Sequence, residues 1–71
     1  MTKTPSLTPD EIVRLLKNHG FEPLRMKGSH QILKNRSTGK MTVVPLHRRD
    51  LPKGTLLAIL KQAGIDKDVL L

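Results

Sequence analysis

The sequence predicts an α+β domain of order α-β-β-β-α, in which a three-stranded antiparallel sheet carries two helices on one face. Three observations lead there. Residues with helical apolar spacing occupy both flanks of the chain, three short strand-type runs lie between them, and each helical segment ends in a glycine followed by an apolar residue. At 71 residues the chain reads as one domain, 1–71, whose small core buries about 60% of the unfolded surface.

The first helix opens at Leu7-Thr8-Pro9-Asp10-Glu11-Ile12. Thr8 is placed to cap, Pro9 suits the first helical position, and Glu11 lies three residues on to close a capping box. Leu7 and Ile12 have the spacing of a hydrophobic staple, and Asp10 and Glu11 complement the positive end of the helix dipole. Ile12, Leu15 and Leu16 mark the apolar face, and Gly20 ends the helix before Phe21.

From Phe21 to Lys27, Leu24 and Met26 alternate with Arg25 and Lys27, as in a half-buried strand with Pro23 at its beginning or on an edge. Gly28-Ser29 makes a tight reversal or a bulge, and a second strand follows over 29–34. The loop Asn35 to Lys40 is rich in turn residues and leads to a third strand, Met41 to Val44, which Pro45 stops. Adjacent apolar residues at Ile32 and Leu33 have opposite parity, so the pattern does not decide which face His30 shares. Leu46 to Leu51 forms a loop. A second helix runs from Pro52 or Lys53 to Ala63, with Leu56, Ile59, Leu60 and Ala63 as its stripe and Gly64 as its stop. Asp66 is placed to cap a last short turn.

The charge is concentrated. The chain carries a net +7. Between Arg25 and Lys53 lie eight basic residues and one acid, Asp50, so that segment holds the whole excess while the remainder balances. A localised basic field points to a polyanion, with RNA or DNA first. The bland alternative is a solvated surface that keeps a small protein in solution. There is no cysteine, which excludes disulfides and thiolate metal sites and fits a reducing, cytoplasmic compartment. No apolar run approaches the length of a membrane span, and the first residues lack the apolar core of a signal peptide, so no membrane partner is expected.

Three histidines carry the candidate chemistry. His19 falls in the last turn of the first helix, where a cation favours the dipole. His30 opens the second strand between Lys27 and Lys34, and His47 opens the loop His47-Arg48-Arg49. Two histidines without cysteine or a carboxylate pair make a poor zinc site, so no metal and no cofactor is expected. RNA supplies its own nucleophile, the 2′-hydroxyl. Its cleavage needs a base, cations for the charge developing on phosphate, and an acid for the leaving oxygen. His30 with Lys27, Lys34 and Lys53 supplies the first two. Gly28 admits close backbone approach to a phosphate, and Ser29 offers a hydroxyl. Gly54, near the start of the second helix, adds outward N–H groups. On these residues alone, RNA binding without catalysis ranks above cleavage, and a strand histidine beside lysines is ordinarily a surface residue. A DNA-bound operon regulator ranks last, because strands separate the helices and no helix-turn-helix is present.

Four ordered pieces then carry a family resemblance. They are Leu16-Lys17-Asn18-His19-Gly20-Phe21; Lys27-Gly28-Ser29-His30; Thr42-Val43-Val44-Pro45-Leu46-His47; and Lys53-Gly54-Thr55-Leu56 with Ile59-Leu60-Lys61-Gln62-Ala63-Gly64-Ile65. Spanning roughly Ile12 to Ile65, they make the chain resemble the HicA family of mRNA-cleaving toxins. The resemblance implies a double-stranded-RNA-binding-domain-like fold and a metal-independent endoribonuclease acting on mRNA, with His30 catalytic. It also implies growth arrest by the free toxin and a cognate HicB-type antitoxin covering the active site. Lys27, Gly28, Ser29, Lys34, His47, Arg48, Lys53 and Gly54 are the expected phosphate contacts. The chain departs from many members at Gln31 and Leu33, where a second histidine and a strand aromatic are common, and at Arg48-Arg49-Asp50, where a glycine-containing loop is common. Without a strand aromatic for base stacking, binding leans on phosphate, with weak sequence preference and strong salt dependence.

Overall fold

The computed structural model describes residues 7–46 and 49–70. Along the chain come α1 (Pro9–Asn18), β1 (Phe21–Lys27), β2 (His30–Asn35), β3 (Met41–Pro45), α2 (Lys53–Ala63) and a closing 3-10 turn, Lys67–Leu70. The order is the α-β-β-β-α expected from the sequence. The strands form one antiparallel sheet, β1-β2-β3, with β2 in the centre.

Local chemistry sets the helix ends. The Glu11 N–H donates to Thr8 Oγ1 at 3.3 Å, and the Glu11 carboxylate accepts the Thr8 N–H at 2.9 Å. Two otherwise orphaned donors are thereby satisfied. The Thr8 backbone bond, followed by the Thr8 side-chain bond, holds the Glu11 carboxyl below its ordinary value. At the far end, His19 Nδ1 lies 2.9 Å from the Leu15 carbonyl. α2 ends at Gly64 in the left-handed region, φ +71, with the Ile65 N–H donating to Leu60 O at 2.9 Å. Asp66 caps the final turn, accepting the Asp68 N–H on its carboxylate at 2.9 Å.

The core draws Ile12 and Leu16 from α1, Phe21, Leu33 and Val44 from the strands, and Leu56, Ile59, Leu60 and Ala63 from α2. Leu33 and Val44 lie on the same side of the sheet, so both helices cover one face. Each fully buried Leu or Ile contributes about 2 kcal/mol. Thr42, also buried on that side, places its hydroxyl 3.3 Å from Ile59 O and 3.1 Å from Gln62 Oε1, anchoring β3 to α2.

Two strand details differ from expectation. Leu24 and Met26 are not a half-buried row: they are 53% and 49% exposed. The register steps from Pro23↔Leu33 to Arg25↔Ile32, leaving Leu24 as the extra residue of a β-bulge. The second strand begins at His30, one residue later than expected, because Ser29 is spent in the turn, and it runs on through Asn35. Pro45 closes β3 as its last paired residue, opposite His30. The Leu46 N–H donates to Ser29 O at 2.8 Å, so ladder bonds fall at alternate pairs and the Pro45 nitrogen faces away from β2, where no donor is required.

Candidate nucleic-acid interface

The site is built on the turn between β1 and β2. Gly28 has φ +61 and Ser29 has no positive φ, the pattern of a type II′ hairpin turn, which favours glycine at its first position. Among the described residues nothing lies within 4 Å of where a Gly28 side chain would start. Conformation therefore demands the glycine, and packing does not. The turn sets Lys27 directly opposite His30, and Pro45 flanks His30 from β3. The Ser29 carbonyl is tied to Leu46, where the chain leaves the sheet.

Parity now settles which face His30 occupies. In β2, Leu33 and Asn35 are buried beneath the helices, together with half-buried Gln31. His30, Ile32 and Lys34 occupy the opposite face, which has no second layer among the described residues. Lys34 is on that face but four residues from His30, roughly 13 Å along the strand. From β1, the register adds Glu22, Arg25 and Lys27; from β3 it adds Met41 and Val43. The one acid in this group, Glu22, is engaged by Arg36 at 2.9 Å. What remains is cationic: Arg25, Lys27 and Lys34 share the face with His30, and between them lie Ile32, buried at 8% exposure, and Val43, 39% exposed. Such a face presents positive charge to a long polyanion.

The expected site residues are only partly assembled. Lys27, Gly28, Ser29 and His30 are contiguous around the turn, and Lys34 shares their face. Lys53 and Gly54 open α2, in the helix layer behind the sheet. Pro52 at the N-cap offers no side-chain acceptor there, and among the described residues nothing packs within 4 Å of where a Gly54 side chain would start. His47 and Arg48 lie outside the described residues. Arg25, which the sequence groups with Lys27 on one parity of β1 but not with the expected phosphate contacts, shares the His30 face. The signal for it was faint: Phe21 and Lys27 share a sequence parity, yet one suits a core and the other a surface.

Two shallow pockets lie among the described residues. One is lined by Thr8, Pro9, Asp10, Leu46 and Arg49, the other by Glu11, Arg14, Leu15, Asn18 and His19. No group of three or more His, Asp or Glu side chains among the described residues is arranged to hold a metal ion, and none of their helices is long and apolar enough to cross a membrane.

A family model described as HicA toxin of bacterial toxin-antitoxin matches residues 9–65. No curated protein matches the chain.

Proposed function

Since the chain belongs to the HicA toxin family of bacterial toxin–antitoxin systems, we propose that it is a metal-independent endoribonuclease that cleaves mRNA in the cytoplasm, arrests growth, and is neutralised by a HicB-type antitoxin. The observation that carries this reading is the pairing of Lys27 with His30 across a glycine turn, on an open cationic sheet face.

His30 accepts the proton of a 2′-hydroxyl. The 2′-oxygen attacks the adjacent phosphorus, forming the 2′-O–P bond as the P–O5′ bond breaks. The products are a 2′,3′-cyclic phosphate and a 5′-hydroxyl, the leaving oxygen taking a proton from a second acid. Lys27, one cross-strand step from His30, stabilises the charge growing on the phosphoryl oxygens. Gly28 keeps the turn free of a side chain so that backbone can approach phosphate closely. Ser29, Lys34, His47 and Arg48 extend the contact along the RNA, and Lys53 and Gly54 offer an anion contact at the start of α2. An open face suits an extended single strand better than a closed pocket would. The antitoxin acts by covering the same face.

The test compares wild type with His30→Ala on an mRNA in the presence of EDTA. Cleavage by wild type and loss of at least a hundredfold in the variant is the expected result. Equal cleavage by both proteins, or complete inhibition by EDTA, overturns the assignment. Binding by wild type with no product in any condition supports a non-catalytic RNA-binding module instead.

A further inference from the structure

Arg25 reaches the open face only because β1 carries one residue too many. In a regular strand, positions 21, 23, 25 and 27 share a face. Phe21 is buried under the helices, so regular alternation would point Arg25 and Lys27 into the helix layer. The register instead runs Phe21↔Asn35, Glu22↔Lys34, Pro23↔Leu33 and then Arg25↔Ile32, Met26↔Gln31, Lys27↔His30. The extra residue, Leu24, flips everything after it. Its own side chain is 53% exposed, so apolar burial does not account for the bulge.

The bulge is held by a side chain. Gln31, on the helix side of β2, donates from Nε2 to the Arg25 carbonyl at 3.0 Å and lies 3.2 Å from the Ile32 carbonyl. A bulge disrupts the backbone ladder locally, and this amide supplies a donor to the carbonyl of the first residue beyond it. Outward, no carboxylate among the described residues forms an ion pair with Arg25, and Glu22 contacts Arg36. Arg25 and Lys27 are two residues apart on one face, roughly 7 Å along the strand. A planar guanidinium presents paired donors that match two phosphate oxygens.

We propose that Arg25 is a phosphate-binding residue of the RNA interface, placed beside Lys27 by the Leu24 bulge, with Gln31 as the positioning residue that holds the bulge. The inference rests on the ribonuclease reading above and extends it from the turn to the middle of β1.

The experiment measures binding of a single-stranded 2′-O-methyl RNA, which lacks the nucleophile, by fluorescence anisotropy across a salt series. Arg25→Ala weakens binding and lowers the slope of log Kd against log salt by about 0.7, one phosphate contact on a single strand. Arg25→Lys retains the slope. Arg14→Ala, an equal charge change on α1, leaves the slope unchanged. Gln31→Leu weakens binding in the wild-type background and has a smaller effect when Arg25 is already alanine. Thermal melts establish that each variant is folded. An unchanged slope for Arg25→Ala, an equal loss for Arg14→Ala, or equal effects of Gln31→Leu in both backgrounds overturns the proposal. Loss of antitoxin binding by Arg25→Ala with RNA binding intact also overturns it, and reassigns the residue to a protein contact. If wild type itself binds no RNA and cleaves none, the ribonuclease reading falls; if wild type binds and Arg25→Ala binds identically, only the present inference does.

Discussion

Asn35 donates from Nδ2 to the backbone carbonyl of His19 at 3.1 Å, tying the end of β2 to the end of α1. Its Oδ1 accepts the Ser37 and Thr38 N–H groups at 2.9 and 3.2 Å, so one buried amide also shapes the β2–β3 loop. Gly20 completes the junction. Its φ is +91, and a side chain there would start 3.3 Å from the Asn35 amide nitrogen. Asn35→Ala leaves several partners unsatisfied and should cost about 2 kcal/mol in urea unfolding. Asn35 lies at the opposite end of β2 from His30 and on its other face, so RNA cleavage per folded molecule should be unchanged.

Lys27 and Lys34 share a face but not a distance from His30. Lys27 is its cross-strand partner, whereas Lys34 is four residues away and pairs with Glu22 and Met41. Lys27→Ala should therefore lower kcat by roughly tenfold or more, the effect expected when charge stabilisation is lost at the reacting phosphate. Lys34→Ala should raise KM and flatten its salt dependence with kcat nearly unchanged. Single-turnover cleavage at several salt concentrations separates the two, and equal effects on kcat would contradict the placement.

Gly54 sits in the first turn of α2 with open space where its side chain would be. Packing among the described residues gives no reason for glycine there. Gly54→Ala should stabilise the protein by about 0.5–1 kcal/mol through helix propensity. If phosphate approaches the α2 start closely, the same substitution weakens RNA binding. Urea unfolding and a binding titration on one variant give both quantities, and a gain in stability with unchanged RNA affinity removes Gly54 from the interface.

The Glu11 carboxyl is held below its ordinary value of 4.5, first by the Thr8 backbone N–H and then by the Thr8 hydroxyl. Its folded pKa is depressed, so its contribution to stability is present above 4.5 and is lost as pH falls through the folded value. Glu11→Gln preserves the hydrogen-bonding shape of the capping box without the charge. Wild type should melt above Glu11→Gln at pH 7, and the gap should shrink on acidification below pH 4.5. A gap that stays constant from pH 7 to pH 3 would show that the charge contributes nothing to the cap.

Legibility followed the range of the interactions. The start of α1 was plain in Thr8, Pro9 and Glu11, because a capping box is made within four residues. The ends of both helices were plain in Gly20 and Gly64 for the same reason, while Gly28-Ser29 read as either a tight reversal or a bulge until the pairing of Lys27 with His30 made it a hairpin turn. The cluster Lys27, Gly28, Ser29 and His30 is contiguous in sequence and so was legible as a unit. Arg25 was not. Its position depends on a register step against β2, which involves Ile32 and Leu33 as much as β1 itself. The expected burial of Leu24 failed at that same step, since Leu24 is the extra residue; Met26 faces the helix side opposite Gln31 yet stays 49% exposed, which the bulge does not explain.

By itself, then, the sequence determined the element order, the helix boundaries, the basic segment and the turn that presents His30, all set by contacts between residues a few positions apart. The tertiary structure decided which way the sheet faces. Leu33 and Val44 were drawn under the two helices, and burial of that parity left His30, Ile32 and Lys34 on the open side. The Leu24 bulge then turned Arg25 and Lys27 to join them. Those choices depend on pairing and packing between segments distant in the chain, where a one-residue shift moves every later side chain to the other face.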